Sequence, residues 1–174
     1  MPKIIVEGTD CSGKDSLIKE LKRITGYPVI RGSSFELSVG GSESMRDVML
    51  DNLKEENVIF NRSYISNIVY APLFNYPMIS KKHIDDVISR ISDTGMETVL
   101  VYLHTDVNTL KNRMKNRGDD DVSPNDLKNI LNRYTDIIVG DLVPNNVLSY
   151  DTSVYSSEQI AKDIITYFNE KPSY

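Results

Sequence analysis

Short apolar runs alternate along the chain with longer stretches in which apolar residues return at helical spacing. The runs predict strands at 3–6, 27–30, 58–60, 98–103 and 147–150, and the stretches between them predict helices at about 14–25, 43–55, 63–74, 80–93, 106–117, 124–139 and 156–169. Strands separated by helices favour a five-stranded parallel sheet covered on both faces. Ser156-Ser157-Glu158 supplies a hydroxyl cap and an early acid for the last helix, and Gly95 and Gly118 stop the helical segments before them. The fifth strand ends in Asp151-Thr152-Ser153, at the carboxyl edge where open α/β sheets bind ligands.

The length of 174 residues, with 40% hydrophobic and 26% charged positions, fits one globular domain from residue 1 to 174. No apolar run approaches the roughly 20 residues a membrane span needs, and the apolar stretch near the start is too short for a signal peptide, so the cytoplasm is the expected location. A single cysteine, Cys11, forms no internal disulfide. The net charge of −5 argues against a nucleic-acid-coating protein, which needs a basic face. Lys111, Arg113, Lys115 and Arg117 nevertheless cluster in this acidic chain. They read either as a grip on a small anion or as a solvated helix face.

Gly8-Thr9-Asp10-Cys11-Ser12-Gly13-Lys14 lies between the first apolar run and a helical pattern carrying Leu17, Leu21 and Ile24. In that context the glycines let backbone N–H groups surround phosphate oxygens, and the helix adds its positive end. Lys14 would then reach the β- and γ-phosphates of ATP. The usual pattern follows the lysine with Ser or Thr, whose hydroxyl ligates Mg²⁺; here Asp15 takes that place and Ser16 follows. Asp15 is expected either to ligate the metal or to cap the helix electrostatically, and Ser16 to bond the α-phosphate.

The segment from Glu7 to Leu17 resembles the thymidylate kinase family, a branch of the P-loop nucleotide kinases. A second match is Asn61-Arg62-Ser63-Tyr64 with Ser66 and Tyr70 downstream; Asn61 stands where the family has aspartate. A third is Arg113 and Arg117 before Gly118, similar to the family's lid, here about 113–123, with Val122 in place of a further lid arginine. The resemblance implies a P-loop kinase fold with a short lid. It implies that Gly8, Cys11, Ser12, Gly13, Lys14, Asp15, Ser16, Arg113, Arg117 and Thr152 bind ATP. Lys14, Arg62 and Arg117 would be catalytic. Asp10, Arg31, Phe35, Arg46, Arg62, Ser66 and Tyr70 would bind the acceptor, with Asp10 near a sugar 3′-hydroxyl.

The implied activity is ATP-dependent phosphorylation of a deoxynucleoside 5′-monophosphate, dTMP first among candidates, to the diphosphate. A deoxynucleoside kinase is the main rival. It needs a carboxylate to take the proton of a neutral 5′-hydroxyl, and Glu36 is close enough in sequence to serve. A nucleotide-binding module without phosphotransfer is the rival from another class, on the strength of Asp15, Asn61 and Val122. The resemblance further implies a homodimer, with a nucleotide substrate and neither nucleic acid nor membrane as partner. The compact length and loosened motifs are reminiscent of phage-encoded kinases.

Overall fold

The computed structural model describes residues 2–33, 35–93, 98–118 and 123–170, with backbone alone for Phe35, Asp93 and Pro124. Five strands, β1 (Lys3–Gly8), β2 (Val29–Arg31), β3 (Val58–Asn61), β4 (Thr98–His104) and β5 (Val147–Asp151), form one parallel sheet in the order β2-β3-β1-β4-β5. Eight helices are described: α1 (Lys14–Thr25), α2 (Phe35–Val39), α3 (Gly41–Asn52), α4 (Tyr64–Phe74), α5 (Lys81–Asp93), α6 (Val107–Arg117), α7 (Pro124–Ile138) and α8 (Ser157–Glu170). The expected α/β sheet is present, and its direction of growth reverses at β1. A crevice therefore opens beyond the carboxyl end of that strand.

Every residue of β1 is buried, which explains why its centre reads as a continuous apolar run, with charges only at its start, Lys3, and near its end, Glu7. Successive side chains alternate between faces. Ile4 and Val6 join Leu17, Leu21, Ile160 and Ile164 in a core beneath α1 and α8. Ile5 points the other way, into the larger core built with Tyr64, Ile65, Val87, Ile91, Ile130 and Tyr134 from α4, α5 and α7. A third, smaller cluster packs Cys11 of the loop after β1 against Leu110 and Met114 of α6 and Leu127 of α7.

Two boundaries depart from expectation. β2 starts at Val29, because Pro28 has no N–H to donate and serves the edge only through its carbonyl, which accepts from Ile59 N at 3.0 Å. The five-residue α2 was not expected, and α3 starts at Gly41 and ends at Asn52 instead of spanning 43–55. The five residues after α3, 53–57, turn instead of extending it, with Asn57 in the left-handed region at φ 52°. Residues 119–122 of the expected lid, Val122 among them, and the Gly95 stop lie outside the described residues.

Candidate active site

The loop after β1 is shaped by close approach. Gly8 has φ 147°, and a Cβ there would collide with the Leu103 carbonyl of the neighbouring strand. Gly13, at φ 96°, occupies the cap position of α1 in a left-handed conformation that glycine adopts without strain. The first turn of α1 consequently faces the crevice with its N–H groups. Lys14 is 6% exposed and folds back to donate to the Thr9 carbonyl at 2.6 Å. Burial lowers its pKa from 10.5 to about 8, assisted by the Arg62 cation and opposed by Asp10, Glu7 and Asp15. Asp15 and Ser16 are exposed on the same turn, whereas Ser12 is fully buried and its hydroxyl has no hydrogen-bond partner.

Arg62 leaves the end of β3 with φ 71°, an uncommon conformation for any residue but glycine. Its carbonyl is pressed against Gly32, where any Cβ would collide with it. The guanidinium donates to Asp10 Oδ1 and to Ser66 Oγ at 3.1 Å, and lies 5.1 Å from the centre of the Tyr70 ring. Burial disfavours its charge, but the hydroxyls of Tyr134 and Tyr70 and the carboxylates of Asp10 and Glu7 outweigh that and raise its pKa.

Glu7 holds this arrangement together from below. Fully buried, its Oε1 accepts from the Ser63 backbone N at 2.6 Å and Ser63 Oγ at 2.7 Å, while its Oε2 accepts from Ser66 Oγ at 2.7 Å and lies 3.1 Å from the Tyr134 hydroxyl. A buried carboxylate is tolerable only when so satisfied. The Tyr134 hydroxyl also sits 3.2 Å from the Gly8 carbonyl and 3.5 Å from Arg62. Through it α7 is tied to both the phosphate loop and the arginine. Burial raises the Tyr134 pKa, so the hydroxyl stays a donor.

On the other side, Arg113 of α6 donates to the Cys11 carbonyl at 3.2 Å, to Thr152 Oγ1 at 2.9 Å and to the Thr152 carbonyl at 2.8 Å. It clips the phosphate loop to the turn after β5. Arg117, one turn later, has its NH1 3.8 Å from Cys11 Sγ.

These residues line two joined compartments. The larger, about 720 Å³, is walled by Lys14, Asp15, Ser16, Arg113, Arg117 and Thr152, with Cys11 and Gly13. The smaller, about 330 Å³, is walled by Ser33, Glu36, Ser66, Tyr70 and Tyr76. Asp10, Arg31, Asn61 and Arg62 line both and form the partition between them. The polar walls and two adjoining chambers suit two polar ligands meeting at a partition that carries two arginines.

Most residues singled out in the sequence come together here, but Arg46 does not. It lies on α3 in ion pairs with Glu43 at 3.2 Å, Asp47 at 2.7 Å and Asp86 at 3.8 Å, and lines neither compartment. Its expected grip on the acceptor is therefore withdrawn. The Phe35 side chain lies outside the described residues. Glu7 and Tyr134 were not among the expected site residues. The charge inside the first apolar run was the available signal for Glu7, and nothing marked Tyr134, an aromatic at core spacing.

The fold and this loop-and-partition geometry define a P-loop phosphotransferase of the kinase type. The deoxynucleoside kinase family model matches residues 32–171, and the chain belongs to that family. It is 35% identical over 166 residues to the SPbeta prophage-derived uncharacterized protein YorR of Bacillus subtilis (strain 168), covering 95% of this chain and 98% of that one. The crystal structure of YorR in complex with phosphorylated GDP matches with a TM-score of 0.88 at 34% identity, over 96% of this chain and 95% of that one. The deoxyadenosine kinase of M. mycoides with bound dATP shares the fold, with a TM-score of 0.64 at 18% identity over 97% and 100% of the chains. Membership in the wider group of nucleoside and nucleotide kinases is thus established, and the thymidylate kinase branch is not singled out within it. None of the described helices is long and apolar enough to cross a membrane.

Proposed function

We propose that this chain transfers the γ-phosphate of ATP, bound in the larger compartment, to the phosphate of a deoxynucleoside 5′-monophosphate in the smaller one. The observation that carries this reading is the partition. Arg31 ends β2 opposite Asn61, and Arg62 follows Asn61 at the end of β3; both arginines line the two chambers, and Arg31 has no ion-pair partner among the described residues. Two cations between the chambers suit an acceptor that is itself anionic. No carboxylate stands at the end of β2, where Gly32 is packed too tightly against Arg62 to be replaced. Asp10, which lines the same chamber, is already paired with Arg62.

On this reading the backbone N–H groups around Gly13 hold the donor phosphates, and Lys14 leaves the Thr9 carbonyl to follow the moving phosphoryl group. Arg62 neutralises charge shared between donor and acceptor. Arg117 closes on the donor from α6, and Arg113 keeps the phosphate loop and the Thr152 turn at a fixed spacing beside the donor base. Asp10 meets the sugar 3′-hydroxyl, and Ser66 and Tyr70 line the acceptor chamber. Asp15 carries an exposed carboxylate with no hydrogen bond or ion pair among the described residues, a suitable oxygen donor for Mg²⁺. Mg²⁺ held there would supply positive charge to offset that of the triphosphate.

A second reading is a deoxynucleoside kinase. Glu36, exposed on α2 and lining the acceptor chamber, is the observation in its favour, because it offers a base for a neutral 5′-hydroxyl. The phosphorylated GDP bound by YorR adds guanine compounds to the acceptors worth testing. A coupled ADP-release assay with matched nucleosides and 5′-monophosphates of thymine, cytosine, adenine and guanine separates the readings. Turnover of thymidylate or another deoxynucleotide supports the first; turnover of nucleosides alone overturns it.

A further inference from the structure

We infer that the metal accompanying the nucleoside triphosphate is held by Asp15 together with Asn61, a pair in which the charge sits on the helix and the neutral oxygen on the strand. The inference rests on the larger compartment being the triphosphate site. In P-loop enzymes generally the metal is held by a hydroxyl on the residue after the loop lysine and by a carboxylate at the end of a neighbouring strand. That set carries one negative charge. Here the residue after Lys14 is Asp15, and the end of β3, the strand next to β1, carries Asn61. The two exchanged residues again carry one negative charge between them.

Neither oxygen is engaged by another protein group among the described residues. Asn61 Oδ1 is buried and has no hydrogen-bond partner, a state that is unfavourable when nothing compensates it. Asn61 lies opposite Val6 in the sheet register and lines the compartment that Asp15 also lines. Asp15, on the first turn of α1, accepts no hydrogen bond and forms no ion pair among the described residues, so its carboxylate is not committed to capping the helix. A carboxamide oxygen and a carboxylate are both hard donors, suited to Mg²⁺ that otherwise keeps phosphate oxygens and waters. Asparagine at the strand end taken alone removes the site's charge; aspartate after Lys14 restores it.

Metal binding reads this without turnover or acceptor. Mn²⁺ is titrated into the protein saturated with a non-hydrolysable ATP analogue, free Mn²⁺ being followed by electron paramagnetic resonance, and analogue binding is measured separately by calorimetry. Asp15→Ser and Asp15→Asn should each weaken Mn²⁺ retention by about tenfold or more, Asn61→Asp should strengthen it, and Asp15→Ser/Asn61→Asp should return to within about threefold of the wild type. Asp15→Asn, at an exposed position, tests the pair even where Asn61 variants fold poorly. Unchanged Mn²⁺ affinity in Asp15→Asn, or a fall in melting temperature alone, overturns the pair. So does a double variant that keeps the whole loss of Asp15→Ser. Failure of the wild-type protein to bind the analogue overturns the triphosphate reading along with it; analogue binding with indifferent Mn²⁺ affinities overturns the pair alone.

Discussion

Replacing Lys14 by methionine should make the protein more stable at neutral pH while abolishing its turnover. The lysine is buried, and the drop in its pKa from 10.5 to about 8 corresponds to about 3 kcal/mol by which the fold disfavours its charged form. Methionine matches the stem in length and loses the hydrogen bond to the Thr9 carbonyl, worth about 1 kcal/mol, so the net gain is about 1–2 kcal/mol at pH 7. That is a rise of about 2–8 °C in melting temperature for a chain of this size. Between about pH 8 and 10.5 the unfolded chain binds the lysine proton and the folded one does not, so wild-type stability rises with pH there. The advantage of the variant is therefore complete below pH 8 and fades as the pH approaches 10.5. Urea denaturation at pH 7, 8, 9 and 10, with ADP release measured at pH 7.5, checks both halves. Turnover should fall about 10²–10³-fold. Equal or lower stability at pH 7 with an unchanged pH profile would refute the electrostatic account, and retained turnover would remove Lys14 from the chemistry.

Three further outcomes follow from the same geometry. Tyr134→Phe removes the hydroxyl shared by Glu7, Gly8 and Arg62; it should cost about 1.5–3 kcal/mol in urea denaturation and lower kcat more than it changes KM for ATP. Arg46→Ala should leave kcat/KM within about twofold, because its ion pairs lie on the exposed face of α3; a larger loss would restore it to the acceptor site. Arg117→Ala should reduce kcat more than it raises KM for ATP, and steady-state kinetics with unchanged values would take Arg117 out of the donor site.

The central strands were legible because both their faces are covered: Ile4, Ile5 and Val6, like residues 98–103, have no polar face to interrupt the run. The phosphate loop was legible because its glycines are required, Gly8 by its close approach to the Leu103 carbonyl and Gly13 by its left-handed backbone. α2 was not, since five residues between polar and glycine neighbours carry too little periodicity. Arg46 misled because a cation in a helical stretch does not announce which face it occupies, and nearby acids settled that question. Asn61 looked like a loss of function when read alone. Its meaning depends on an orphaned oxygen and on Asp15, two facts that become related only once β3 is placed beside β1.

The contact of Cys11 with Leu110 and Met114 bears on how such a molecule can be recombined. The phosphate loop and α6 lie almost a hundred positions apart in the chain, yet they share an apolar seam and the Arg113 clip. A chimera that imports residues 8–16 from a relative without residues 107–117 would set a foreign side chain at position 11 against Leu110 and Met114. The two segments thus form one packing unit, and a chimera that exchanges both at once keeps the seam and the clip intact.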